Sequence, residues 1–154
     1  MKSGVTLTCR WSYTQTGGTL EIADSLPTVE TLSVQGPGDN FNGGKIVFDS
    51  TTGFGMLALN SVTFNGVEIG MRINGTTKDS DQIECAGNVT IQGNSKLVVT
   101  AVNPVQQGSG IFWSLIKPTA GNTITGDFLA ANITLPANVT ENKGALPNSW
   151  QCNS

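Results

Sequence analysis

Apolar and polar residues alternate one for one along most of the chain. The alternation places Leu20 and Ile22 on one face of a strand, and Val62 and Phe64 on one face of another. The same pattern recurs in short runs that are bounded by Gly, Asn, Asp or Pro, as strands and tight turns are. Further residues that share a face are Leu32 and Val34, Ile46 and Phe48, Leu57 and Leu59, Val67 with Ile69 and Met71, Ile83 and Cys85, Val89 and Ile91, Leu97 and Val99, and Ile133 and Leu135.

Helical periodicity is missing from the same sequence. No stretch of about twelve residues has apolar positions at the three- and four-residue spacing of a helix. We therefore predict a single all-β domain over residues 1–154, which would be a fragment of a larger extracellular protein. Two architectures fit the pattern. One is a right-handed parallel β-helix, a solenoid of short strands and tight turns, and the runner-up is an antiparallel β-sandwich.

A recurring local unit favours the solenoid. A turn of Gly or Asn is followed by alternating β-branched residues at 17–22, 43–48, 87–91, 94–99, 121–125 and 131–135. Stacked units of this kind bury their apolar sides on one another, and Asn residues at the turns could form ladders between successive coils. The segment 36–44, which is rich in Gly and Asn, is predicted to be a turn between coils.

Composition and charge narrow the classes of function. The net charge is −3 and only 12% of the residues are charged, about half the usual share. A basic face for nucleic acid is therefore not expected. The chain has no His, which excludes His-based catalytic triads and His metal ligands. No apolar stretch is long enough to insert into a membrane. Low charge combined with many Asn, Thr and Gly residues predicts an extracellular or cell-surface location.

The three cysteines, Cys9, Cys85 and Cys152, cannot all pair within one chain. Cys9 and Cys152 lie near opposite ends and are the candidate disulfide if the fold brings the ends together. Three unpaired thiols are the alternative. Cys85 lies in an alternating stretch and is expected to be a small buried residue. None of the three has the spacing of a metal site, and we expect no metal and no cofactor.

A more specific pattern covers residues 81–150. An alternating segment at 81–100 is followed by the apolar run 110–116 (GIFWSLI), and then by 124–128 (ITGDF), 133–137 (ITLPA) and 146–150 (LPNSW). This order resembles the repeat-like modules of bacterial autotransporter passengers and related secreted surface β-helix proteins. The resemblance implies a right-handed parallel β-helix that is exported and displayed on a bacterial surface.

Asp79, Asp81 and Glu84 form the candidate acidic site. Residues two apart in a strand share a face, so Asp79 and Asp81 would point the same way. Two carboxylates on one face can bind Ca²⁺ or act as an acid–base pair in glycan cleavage. The simpler interpretation, which we favour, is a solvated turn that opens the next strand.

Aromatic residues supply the candidate stacking sites. Phe112 and Trp113 are neighbours, so in a strand one faces the core and the other faces solvent. An exposed Trp113 could stack on a sugar ring, and Trp11 with Tyr13 shares a strand face by the same argument. The alternative is that the tryptophans cap the ends of a stack.

These features favour a non-catalytic structural or adhesive module of a bacterial cell-surface or secreted protein. A carbohydrate-binding module and a polysaccharide-degrading β-helix fragment that uses the paired Asp residues are the alternatives. The expected partners are a glycan, a host or surface protein, or a second copy that meets this chain through the ends of the solenoid.

Overall fold

The computed structural model describes residues 6–9, 12–22, 30–34, 38–49, 53–142 and 149–154, and side chains at 13–22, 38–49, 53–142 and 149–154. The strands are β1 Thr6–Cys9, β2 Ser12–Gln15, β3 Thr19–Ile22, β4 Glu30–Val34, β5 Gly38–Asn42, β6 Lys45–Phe48, β7 Met56–Leu59, β8 Val62–Asn65, β9 Glu68–Ile73, β10 Gln82–Cys85, β11 Val89–Ile91, β12 Lys96–Ala101, β13 Phe112–Pro118, β14 Ile124–Gly126, β15 Ile133–Thr134, β16 Thr140–Asn142 and β17 Trp150–Asn153. Over these ranges the one helical element is a 3₁₀ turn at Ala130–Asn132, and no helix there is long and apolar enough to cross a membrane.

Three sheets share the strands in strict rotation. Sheet A has the order β1-β4-β7-β10-β13-β17-β16, sheet B the order β14-β11-β8-β5-β2, and sheet C the order β15-β12-β9-β6-β3. From β1 to β15, each strand pairs in parallel with the strand three places later in the chain. We call three consecutive strands, one from each sheet, a rung. The prediction of an all-β fold is confirmed, and the antiparallel sandwich is wrong because the strands of successive rungs run in parallel.

The register between rungs lines up the apolar residues into columns. In sheet C the inward column contains Leu20, Ile46, Ile69, Leu97 and Ile133. In sheet B, Phe41 pairs with Phe64, and their ring centroids lie 5.7 Å apart. Because side chains alternate along a strand, every inward column has an outward column next to it. The core therefore runs through the middle of the stack.

Connections between the sheets differ in length. Passing from sheet A to sheet B, or from B to C, takes 2 to 6 residues. Up to β13, passing from sheet C to the next strand of sheet A takes 7 to 10, whereas the last such passage, from β15 to β16, takes 5. The segment predicted as a turn at 36–44 contains strand β5 instead. That prediction was wrong because the backbone of β5 pairs with both β2 and β8 and its Phe41 is buried, so the tertiary pairing outweighs a turn-like composition.

The C-terminal end of sheet A is covered by an antiparallel pair. Strand β17 pairs with β13 on one side and with β16 on the other. Trp150 is buried there and makes an edge-to-face contact with Phe128, with ring centroids 6.0 Å apart. Sheets B and C end at the short strands β14 and β15, and short edge strands limit pairing with another chain.

Asparagine side chains link successive rungs at the turns, as expected from the sequence. Asn65 donates its amide N–H to the side-chain oxygen of Asn42 at 3.2 Å. Asn103 donates in the same way to Asn74 at 3.1 Å. Each bond joins residues one rung apart, so the prediction of Asn ladders is confirmed at these two places.

Candidate functional site

The outer face of sheet B carries a column of short polar side chains. One side chain from each strand takes part in it, at matched register positions. The column contains Thr14, Asn40, Thr63, Thr90 and Thr125. These residues point outward because their neighbours in the same strands, such as Phe41, Phe64 and Ile91, are buried. The strand spacing repeats hydroxyl and amide groups about every 4.8 Å along the stack.

Polar residues also flank this column on both sides. Asn42 and Asn65 form the next column along the strands and hydrogen-bond to each other. On the other side, Ser61 and Asn88 directly precede β8 and β11. The Asn88 side-chain oxygen accepts the backbone N–H of Thr123 at 3.0 Å, which fixes the amide at the edge of the face.

A shallow groove of about 200 Å³ runs over β5, β8 and β11 on this side of the molecule. Its lining is mostly polar and contains Gly38, Asp39, Asn40, Ser61, Val62, Thr63, Asn88 and Thr90. Gly38 has a φ of +136°, and a Cβ at this position would lie 2.6 Å from the carbonyl oxygen of Ser61. Glycine is therefore required where the chain enters β5 and passes close to the neighbouring rung.

Among the described strands, the outward charged side chains belong to the other two sheets. Lys45 and Glu68 form an ion pair of 2.6 Å on the outside of sheet C, and Lys117 and Glu84 form one of 3.2 Å on the outside of sheet A. In the five strands of sheet B, the only Asp, Glu, Lys or Arg is Asp39, which is buried. The outer face of sheet B is therefore uncharged.

Asp39 is an interior carboxyl group with an incomplete set of hydrogen bonds. It is 1% exposed. Its Oδ2 accepts the backbone N–H of Asn60 at 3.2 Å, and its Oδ1 has no hydrogen-bond partner. Burial raises the pKa of Asp39 from 3.8 to about 6, and the hydrogen bond from Asn60 lowers it only in part. Asp39 thus belongs to the lining of the groove, but its carboxyl group is almost fully covered, and we expect its main effect to be on stability.

The structure does not bring the candidate acidic residues together. Asp81 is buried and Asp79 is exposed, on opposite sides of the bridge residue Ser80. The rule for residues two apart fails here because 79–81 belong to a connection and not to a regular strand. Glu84 faces outward and pairs with Lys117. Within the described part of the chain no three His, Cys, Asp or Glu residues are placed to hold a metal ion.

Asp81 instead has a structural role, because it links Arg72 in β9 to Gly55 in the connection before β7. Its Oδ1 accepts from Arg72 Nη2 and from the backbone N–H of Gly55, both at 2.8 Å. Its Oδ2 accepts from Arg72 Nε at 2.9 Å and from the Arg72 backbone N–H at 2.7 Å. Arg72 also donates to the carbonyl oxygen of Gly53 and lies over the ring of Phe54. With four donors the carboxylate is fully bonded, so its role is structural.

The candidate stacking residues Trp113 and Tyr13 also contact the interior of the protein. Trp113 is fully buried, and its Nε1 donates to the carbonyl oxygen of Thr77 at 2.9 Å. Trp113 as a stacking residue is therefore wrong, and its neighbour Phe112 is the exposed one, at 48%. The ring of Tyr13 packs on Phe41, with centroids 5.5 Å apart. Trp11 lies outside the described residues.

The cysteines do not form the candidate disulfide in this structure. Cys85 and Cys152 are buried free thiols. Cys9 ends β1, which lies at the far end of sheet A from β17 with four strands between them. At about 4.8 Å per strand, the two backbones are far beyond the separation of about 7 Å that a disulfide can span. A bridge between Cys9 and Cys152 is therefore incompatible with this strand order.

Sequence reasoning missed the polar face of sheet B, although a signal for it exists. The tripeptide Phe-Asn-Gly occurs at 41–43 and again at 64–66, and Ile-Gln-Gly occupies the matching place at 91–93. The repeated apolar residue marks the inward column, and the residues on either side of it mark the outward columns.

Comparison with known proteins assigns no family to this chain. No protein-family model matches the sequence, and no curated protein matches it significantly. The function of the chain is therefore inferred from its own residues.

Proposed function

We propose that the chain is a right-handed parallel β-helix that serves as a non-catalytic structural or adhesive module of a secreted or cell-surface protein. The rotation of strands through three parallel sheets supports the β-helix, because a chain that pairs each strand with the third one after it winds once per rung. The right hand follows from the strong preference of parallel crossover connections for that hand. The resemblance of residues 81–150 to autotransporter passengers points to the same class of protein.

The single observation that carries the adhesive role is the uncharged polar face of sheet B. A stalk requires only that its rungs stack, so it does not need Thr and Asn residues aligned on one face across five strands. An aligned face offers many weak contacts side by side. Such contacts, made to one surface, reinforce one another because each later contact forms within an already joined complex.

The degradative alternative loses the residues on which it depended. Asp81 is neutralised by Arg72, and Asp79 lies exposed on the far side of Ser80. General acid–base cleavage of a glycoside needs two carboxyl groups that face each other across the scissile bond. This pair does not offer that arrangement.

The proposal is tested by adhesion of beads coated with the protein. Beads are washed over films of polysaccharide, over matrix protein and over bacterial cells, and the retained fraction is counted. We expect retention on at least one surface, a loss of about fivefold or more in the variant Thr63→Val/Thr90→Val, and no loss in Thr100→Val. Thr100 is a matched control because it is an exposed Thr on the outer face of sheet C.

Three outcomes would contradict the adhesive role. They are no retention on any of the surfaces, equal retention by the sheet B variant and the wild type, and release of soluble sugar from the films during the assay. The last would show catalysis and would revive the degradative alternative. Val retains the branched shape and strand propensity of Thr, so circular dichroism is expected to show an unchanged fold in both variants.

A further inference from the structure

The side chains on the outer face of sheet B favour one chemical class of ligand. We infer that this face binds a neutral polysaccharide whose chain lies along the stack, across the strands. The inference rests on the proposed adhesive role and names the class of partner for it. Three independent features of the face lead to it.

The first feature is the hydrogen-bonding character of the side chains. A Thr or Ser hydroxyl both donates and accepts, and an Asn amide offers donors and an acceptor on one group. Sugar hydroxyls have the same dual character. The residues that line the groove, among them Asn40, Ser61, Thr63, Asn88 and Thr90, therefore match a ligand that presents many hydroxyl groups.

The second feature is the absence of charge. Acidic polysaccharides, nucleic acids and charged peptide segments are held by complementary charges. The outward side chains of the sheet B strands carry no charge, and Asp39, the one carboxyl group in the groove lining, is only 1% exposed. Sheets A and C, by contrast, carry the ion pairs Glu84–Lys117 and Lys45–Glu68. An uncharged ligand can replace its hydrogen bonds to water by hydrogen bonds to this face, while a charged one would lose water without gaining an ion pair.

The third feature is the direction of the repeat. Equivalent hydroxyl and amide groups recur from β2 to β14, one per strand. Four strand spacings cover about 19 Å, which exceeds the size of a single sugar. The groove crosses β5, β8 and β11 in the same direction. A polymer laid along the stack can therefore bond to several rungs at once.

Affinity electrophoresis of the full chain tests this inference. Native gels contain either neutral polymers, namely dextran, galactomannan and hydroxyethyl cellulose, or acidic ones, namely alginate and hyaluronan. We expect at least one neutral polymer to retard the wild-type protein and neither acidic polymer to do so. Loss of two hydroxyl groups in Thr63→Val/Thr90→Val should weaken retardation by about fivefold or more, since each hydrogen bond contributes modestly.

Two variants complete the design. Thr90→Ser keeps the hydroxyl and removes the methyl group, so it should retain binding if the hydroxyl is what matters. Thr100→Val on sheet C should leave retardation unchanged. The inference fails if no neutral polymer retards the protein, if only acidic polymers do, or if the sheet B double variant binds as well as the wild type. If bead adhesion depends on sheet B but no neutral polymer retards the protein, the neutral polysaccharide is wrong as the ligand. The adhesive role would then still stand.

Discussion

Replacement of Asp39 by Asn should change how the stability of the protein depends on pH. Asp39 is buried, its Oδ1 has no partner, and its pKa is raised to about 6. A carboxyl group whose pKa is higher in the folded state binds its proton more tightly there than in the unfolded chain. Folding is therefore favoured at low pH, and stability falls as the pH rises from about 4 through 6.

The size of the effect follows from the difference between the two pKa values. The pKa rises from 3.8 to about 6, and each unit corresponds to about 1.4 kcal/mol. The charged Asp39 thus costs the folded protein about 3 kcal/mol at pH 8. Asn stays neutral and can still accept from the backbone N–H of Asn60, although its amide group adds a buried donor that costs about 1–3 kcal/mol. That cost is independent of pH, so the change between pH 4 and pH 8 isolates the charge.

Urea unfolding followed by tryptophan fluorescence measures the effect, because Trp113 and Trp150 are buried. We expect the free energy of unfolding of Asp39→Asn relative to the wild type to rise by about 2.5 kcal/mol between pH 4 and pH 8, because a small part of the effect is already present at pH 4. Asp49→Asn, at an exposed position, removes the same charge from the surface and serves as the control variant. Parallel pH profiles for the wild type and Asp39→Asn would refute the reasoning.

Two further predictions concern buried groups. Asp81→Ala should lower the free energy of unfolding by about 3–5 kcal/mol, because it leaves the Arg72 guanidinium without its buried partner; a loss below about 1 kcal/mol in urea unfolding would contradict the structural role of the pair. In a Cys9→Ser variant, Cys85 and Cys152 should react with a thiol reagent only after denaturation, because burial raises the pKa of both thiols to about 12. Rapid labelling of the native variant would show that these thiols are accessible.

The alternation of apolar and polar residues correctly predicted which side chains face the core in most strands. Leu57 and Leu59 are buried, as are Val62 and Phe64, because a strand that is half buried must send every second side chain inward. Period-two patterning is a local property, so it can be seen in the sequence without knowing which strand pairs with which.

The features that sequence reasoning missed depend on contacts between rungs. Strand β5 has the composition of a turn, and only its pairing with β2 and β8 makes it a strand. The placement of Asp81 could not be foreseen either, because its Arg72 partner and the backbone of Gly55 come from separate parts of the chain. The polar face of sheet B was missed for the same reason: its residues become neighbours only through the register.

The corner between sheet C and the next strand of sheet A has a consequence for how such a chain can change over time. Up to β13 its connections are 7 to 10 residues long, while those from sheet A to sheet B and from B to C have 2 to 6. Doubling the length of a flexible loop costs only about 0.6 kcal/mol in closure entropy. Insertions at this corner would therefore leave the register of all three sheets intact, so this edge can acquire new loops while the polar face of sheet B is kept.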